Sequence, residues 1–127
     1  MARIQPRPTD AELAILGVLW QRGPSTVRQV HEALAEARET GYTTTLKLMQ
    51  IMAEKGLVTR NETARTHVYS AAAGEQQTQS QLVKDLVDRA FGGSAAALVL
   101  RALSADGTSD DELREIRKLI DDYREKR

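Results

Sequence analysis

What most constrains the fold of this chain is the order in which helix signals give way to strand signals. Thr9 with Glu12, and Thr26 with Gln29, have the spacing of a capping box. In that motif a side-chain oxygen accepts from the third helical N–H while the side chain there reaches back. Leu13, Leu16 and Trp20 then recur at helical spacing until Gly23-Pro24 ends the first helix. Val30, Leu34 and Ala37 mark a second helix, which ends by Thr40-Gly41. Thr43 is the expected cap of a third. Its inward stripe is Thr45, Leu48, Met49 and Met52, and Lys55 and Gly56 suit its last turn and C′ position. Then the texture changes. Leu57 to Glu62 and Thr66 to Ser70 are short and rich in β-branched and aromatic residues, and Thr63-Ala64-Arg65 separates them. That pattern predicts a β-hairpin.

Ala71-Ala72-Ala73-Gly74 is a joint without periodicity, and it divides the chain into expected domains at 1–73 and 74–127. Everything after it reads as helix. Leu82, Val83, Leu86, Val87 and Ala90 form one stripe, followed by Phe91 and a Gly92-Gly93 break. Ser94 caps a short apolar segment carrying Leu98, Leu100 and Leu103. Ser109 with Glu112 is a third expected capping box, opening a helix with the stripe Leu113, Ile116, Ile120 and Tyr123. About 50 residues is a marginal size for folding alone, so these stripes need the first domain or a second chain to cover them. If a second chain covers them, the dimer contacts are expected at Leu82, Leu86, Phe91, Leu98, Leu100, Leu103, Leu113, Ile116, Ile120 and Tyr123.

Composition excludes several classes of function. There is no cysteine, so disulfides, thiolate metal sites and cysteine nucleophiles are ruled out. His31 and His67 are the only histidines, too few for a zinc site built on imidazole. No phosphate-cradling glycine loop, paired carboxylates or nucleophile–base pair is present, so neither an enzyme nor a bound cofactor is expected. The longest mostly apolar run, Ala95 to Leu103, is well short of a bilayer span, so no membrane insertion is expected. Met1 to Thr9 has no apolar signal segment, which points to a cytoplasmic protein. The 18 basic residues balance the 18 acidic ones overall. Residues 1–72 hold nine basic and seven acidic residues, net +2, whereas 73–127 hold nine and eleven, net −2. The sign is the one expected if the first part meets nucleic acid.

Three helices followed by a hairpin is the order of a winged helix-turn-helix, making the chain mainly α with a small β-hairpin. In that fold the second helix of the helix-turn-helix pair enters the major groove and the wing follows the phosphates. Here the inserting helix is Thr43 to Lys55, with Thr44, Leu46, Lys47, Gln50, Ile51 and Glu54 outward. Lys47 can reach a phosphate or a guanine edge, and Gln50 has the amide for a bidentate bond to adenine. Thr43 and Thr44 lie at a helix N-terminus, which suits a phosphate. Leu46 and Ile51 either meet thymine methyls or pack against a neighbouring helix or the wing. Arg65 at the hairpin tip, with Arg60 and His67 beside it, is placed for the backbone, as is Arg28 near the start of the second helix. An ordinary solvated turn and a surface ion pair are the plainer readings of Arg65 and Arg28. His31 and Trp20 are assigned to packing.

The stretches PTDAELAILGVLWQRGPSTVRQVHEAL, YTTTLKLMQIMAEKGLV, RTHVYSA, FGGSAAALVLRAL and SDDELREIRKLI, in this order, resemble the penicillinase repressor family of the BlaI and MecI type. The resemblance runs from about Pro8 to Ile120. It implies a winged-helix transcriptional repressor, a helical dimerisation domain and a homodimer on a palindromic double-stranded DNA operator. It also implies a membrane metallopeptidase partner that triggers cleavage of the repressor. The family's inserting helix commonly reads Thr-Val-Lys-Thr-Leu-Leu and then Asn-Arg. Here Thr44-Thr45-Leu46-Lys47-Leu48-Met49 and Gln50-Ile51 stand in its place. The Asn-Phe bond cut in inducible members aligns with Arg101-Ala102. The cysteine cluster of the copper-responsive branch has no counterpart. The competing expectation is a winged-helix protein-interaction module that does not read DNA sequence, which the neutral net charge and the apolar Leu46 and Ile51 would suit.

Overall fold

The computed structural model describes residues 7–37, 39–63, 65–105 and 107–127. The N-terminal residues up to Pro6, read above for a targeting signal, and Ala64 of the expected turn lie outside them. The order is α1 (Asp10–Arg22), α2 (Val27–Ala35), α3 (Tyr42–Lys55), β1 (Val58–Asn61), β2 (Val68–Ala71), α4 (Glu75–Ala90), α5 (Ala95–Ala105) and α6 (Asp110–Glu125). Two compact units result, one up to Leu82 and one from Val83 to Arg127. The expected 73/74 joint coincides with the start of α4, whose first two turns remain with the first unit. Gln77, Thr78, Gln81 and Leu82 line a small cavity there with Leu16 and Leu57.

In the first unit both expected capping boxes form: Thr9 with Glu12, and Thr26 with Gln29. The core comprises Ile15, Leu16 and Leu19 of α1, Val27 and Val30 of α2, Met49 and Met52 of α3, and Leu57, Val58 and Tyr69 of the wing region. Leu13 and Trp20, the expected α1 stripe beside Leu16, pack at the edge of this core, and Ile15 and Leu19 fill its centre. The Trp20 indole N–H donates to the Ala73 carbonyl at 2.9 Å, tying α1 to the end of the wing. α2 ends at Ala35, so Ala37 lies beyond it and is exposed.

α3 departs from expectation at its start. Its N-cap is Gly41, without a side-chain cap, so Thr43 is not the cap and lies inside the first turn. The predicted close holds: Gly56 has φ 83°, the left-handed conformation in which glycine carries no Cβ penalty. Lys55 does more than suit the helix end. Its Nζ donates to both Glu12 oxygens at 3.0 and 2.9 Å, and Glu12 is 1% exposed. The Thr9 N–H donates to the same carboxylate at 2.9 Å. Burial pushes the Glu12 carboxyl up, but the Thr9 N–H and Lys55 ammonium together outweigh it and hold Glu12 below its ordinary value of 4.5.

The hairpin is antiparallel, with Val58 opposite Ala71, Thr59 opposite Ser70, Arg60 opposite Tyr69 and Asn61 opposite Val68. Its loop is longer than the expected three residues. Asn61 Oδ1 starts it, accepting from the Thr63 N–H at 2.9 Å and the Thr63 hydroxyl at 2.7 Å. This local side-chain turn replaces the absent Asn-Gly signal. Ser25 extends the sheet: its N–H donates to the Tyr69 carbonyl at 2.9 Å and its carbonyl accepts from the Tyr69 N–H at 2.8 Å. That bridge fixes the base of the wing against the α1–α2 connection.

The second unit, with the last two turns of α4, α5 and α6, is built differently. Ser94 caps α5, its Oγ accepting from the Ala97 N–H at 3.1 Å. Ser109 caps α6 through the Glu112 N–H, but the return bond from the Glu112 side chain that would complete the box is not made. Val87 is its one buried apolar residue among the described residues, and neither α5 nor α6 contributes any. Leu86, Leu100, Leu113, Ile120 and Tyr123 are exposed, and Leu82, Phe91, Leu98, Leu103 and Ile116 are half-buried.

Candidate nucleic-acid interface

α2, α3 and the wing enclose an open groove of about 710 Å³. Arg28, Leu46, Gln50, Arg60, Arg65 and His67 all line it, with Thr26, Val27, Gln29, Glu32, Tyr42, Thr66 and Tyr69. Six of the nine residues singled out from sequence as DNA contacts therefore converge on one concavity. The other three, Thr43, Thr44 and Lys47, are exposed on the N-terminal half of α3. The convergence follows from local folding. The buried stripe Thr45, Met49 and Met52 rolls α3 so that Lys47 and Gln50 turn outward, while the Ser25–Tyr69 bridge holds the wing alongside.

The first turn of α3 is open. With Gly41 as cap there is no side-chain acceptor, so the N–H groups of that turn and the positive end of the helix dipole face outward beside the Thr43 and Thr44 hydroxyls. Lys47 has no ion-pair partner among the described residues. A backbone phosphate and a base edge are the chemical partners such a surface fits.

Two expected outward residues are corrected. Leu46 is half-buried and packs against the core at the groove floor, because α2 and the wing flank α3 on that side. Ile51 is likewise half-buried, so neither offers a fully exposed apolar face.

Two features of the groove carry no signal in the sequence. Tyr42, at the first position of α3, sits under Arg28, whose guanidinium carbon lies 5.4 Å from the ring centroid. The Tyr42 ring meets His31 edge to face, with centroids 5.8 Å apart and planes at 86°. His31, expected to pack, does so, but through a ring that supports the groove wall. On the wing, Arg60 Nη2 lies 2.9 Å from Glu62 Oε1, and His67 Nε2 is 4.0 Å from the same oxygen. The Tyr69 hydroxyl first, and Glu62 second, strengthen the hold of Arg60 on its proton. Among the described residues no group of three His, Asp or Glu side chains could hold a metal ion, and no helix is long and apolar enough to cross a membrane.

The model of the family described as "Penicillinase repressor" matches residues 8–122. The chain is 40% identical over 93 residues to the Transcriptional regulator BlaI of Mycobacterium tuberculosis, covering 71% of this chain and 67% of that protein. It is 20% identical over 122 residues to the Penicillinase repressor of Bacillus licheniformis, covering 96% and 95%. The solution structure of the DNA binding domain of the repressor BlaI superimposes with a TM-score of 0.51 at 22% identity, covering 58% of this chain and 90% of that one. That likeness makes the fold of the first unit a winged helix. With a family model spanning nearly its whole length, the chain belongs to the penicillinase repressor family of transcriptional repressors.

Proposed function

We propose that the protein is a homodimeric repressor that reads a palindromic DNA operator by placing α3 in the major groove. Lys47 and Gln50 supply base-edge contacts, and the open first turn of α3, with Thr43 and Thr44, takes a phosphate. Arg28, Arg60, Arg65 and His67 follow the backbone from the groove and wing. The single observation that carries this reading is the common groove formed by Arg28, Gln50, Arg60, Arg65 and His67 beside the exposed face of Lys47. Its basic side chains come from α2 and the wing, which line the groove together with the helix that would enter DNA.

Dimerisation is supported by the second unit's exposed stripe on α4, α5 and α6, which a second copy would cover. Twofold symmetry would set two α3 helices about 34 Å apart or a multiple of it, which is why the operator would be palindromic. We place the protein in the cytoplasm, where its operator would be. We further propose that cleavage in the dimerisation region by a membrane metallopeptidase relieves repression. Arg101-Ala102, which stands where inducible members carry the Asn-Phe bond, argues for a different cut site or a different signal. The protein-interaction alternative is weakened by the partial burial of both Leu46 and Ile51, which reduces the apolar surface that favoured it.

The test is operator binding by Lys47→Ala, Gln50→Ala and Arg65→Ala. The first two are expected to lose about 1–3 kcal/mol each on the operator with less loss on random DNA. Arg65→Ala should weaken binding to all sequences alike and lower the salt slope by roughly 1 per monomer. Unchanged affinity of folded Lys47→Ala and Gln50→Ala proteins would contradict the placement of α3.

A further inference from the structure

The groove holds its arginines in two different ways, and the difference has a consequence for how DNA is bound. The guanidinium of Arg28 rests on the Tyr42 ring, a neutral support that orients the cation and leaves its full charge for a ligand. The guanidinium of Arg60 is paired at 2.9 Å with the carboxylate of Glu62, which is itself 58% exposed at the start of the wing loop. His67 lies 4.0 Å from the same carboxylate oxygen. One acidic side chain thus faces two of the wing residues that the proposed function assigns to phosphate.

We propose that Glu62 is an affinity-setting residue of the DNA interface, acting as a built-in competitor for phosphate that occupies Arg60 until DNA displaces it. This rests on the DNA-binding reading above. In the free protein the carboxylate takes the Arg60 Nη2 donor, which a phosphate would otherwise use. On DNA the pair must open or share, and the carboxylate stands close to the polyanion. A phosphate contact made by releasing an internal carboxylate gains less than one made by a free cation, and it adds less to counterion release. Arg28 on its ring is a standing phosphate contact, whereas Arg60 is a conditional one. The device limits binding to arbitrary DNA, whose affinity is almost wholly electrostatic.

The test compares the full-length wild type, Glu62→Gln, Arg60→Ala and the double variant on a random-sequence duplex across a salt series, with a thermal melt of each. Glu62→Gln is expected to bind about threefold more tightly per winged unit at low salt, with the log–log salt slope steeper by about 0.9 per unit. Its melt should be unchanged, because Glu62 is exposed. The gain should vanish in the Arg60→Ala background. Equal or weaker binding by Glu62→Gln overturns the proposal, since a carboxylate that orients Arg60 for DNA would give that result. A gain that survives Arg60→Ala overturns it too, because the carboxylate would then act by general repulsion. No binding by any of the four proteins at low salt overturns the DNA-binding reading itself, and this inference with it.

Discussion

The two halves of the molecule treat their apolar residues in opposite ways. Up to Leu82, side chains from three helices and both strands close on one another. Val30, Met49 and Met52 reach 0% exposure, and even a carboxylate, Glu12, is enclosed with its cation. From Val83 onward, Leu100 is 57% exposed, Ile120 51% and Tyr123 69%, though their helices are as regular as those of the first unit. Periodicity alone therefore does not make a core. A stripe on a helix is a demand for burial, met in the winged unit by elements of the same chain and left open in the second. At about 25 cal/mol per Å² of apolar area, the open stripe is a driving force for association.

The largest effect should come from attacking each half in its own terms. Leu100→Asp combined with Ile120→Asp should abolish the proposed dimer and cost the second unit much of its helicity, leaving the melting of the winged unit in place. Sedimentation equilibrium and circular dichroism would read both. The counterpart in the first unit, Met49→Ala, should cost about 2–5 kcal/mol of winged-unit stability at every protein concentration. A dimer that survives the paired aspartates, or a Met49→Ala effect that disappears on concentrating the protein, would erase the distinction.

A smaller effect sharpens it. Lys55→Met strands the buried Glu12 carboxylate, and should cost about 2–3 kcal/mol at neutral pH, toward the low end because Lys55 is 34% exposed. The folded protein holds Glu12 below its ordinary 4.5. Its contribution is therefore complete above that value and is lost as pH falls through the lower folded one. Melts of wild type and variant should converge on acidification. A gap that stays constant from neutral pH until both proteins unfold in acid would mean that the pair adds nothing through its charge.

Much of the winged unit was legible because its signals are local. Capping boxes at Thr9 and Thr26, the Gly23-Pro24 stop and the Gly56 close each act within one helical turn. What escaped was non-local or solitary. Ser25 joins the sheet as a single bridging residue, with no alternation to announce it. The Glu12–Lys55 pair spans 43 positions, so both residues read as ordinary helix-end charges. Leu46 looked outward on a helical projection, but a projection ignores the flanks, and α2 with the wing covers that side. The candidate site was found by residue type, since Arg, Lys and Gln in a wing and an inserting helix carry their chemistry openly. The contacts of Tyr42 and Glu62 carry no such sign, because they depend on which arginine lies within reach.

In the proposed complex, two copies of the winged unit present paired α3 helices to one stretch of DNA. Selection from a random duplex pool with the purified full-length protein tests it most directly. The expected result is enrichment of a palindrome whose half-sites lie about one helical turn, or a multiple, apart. Absence of any enriched sequence at low salt, from a folded dimer, would contradict it.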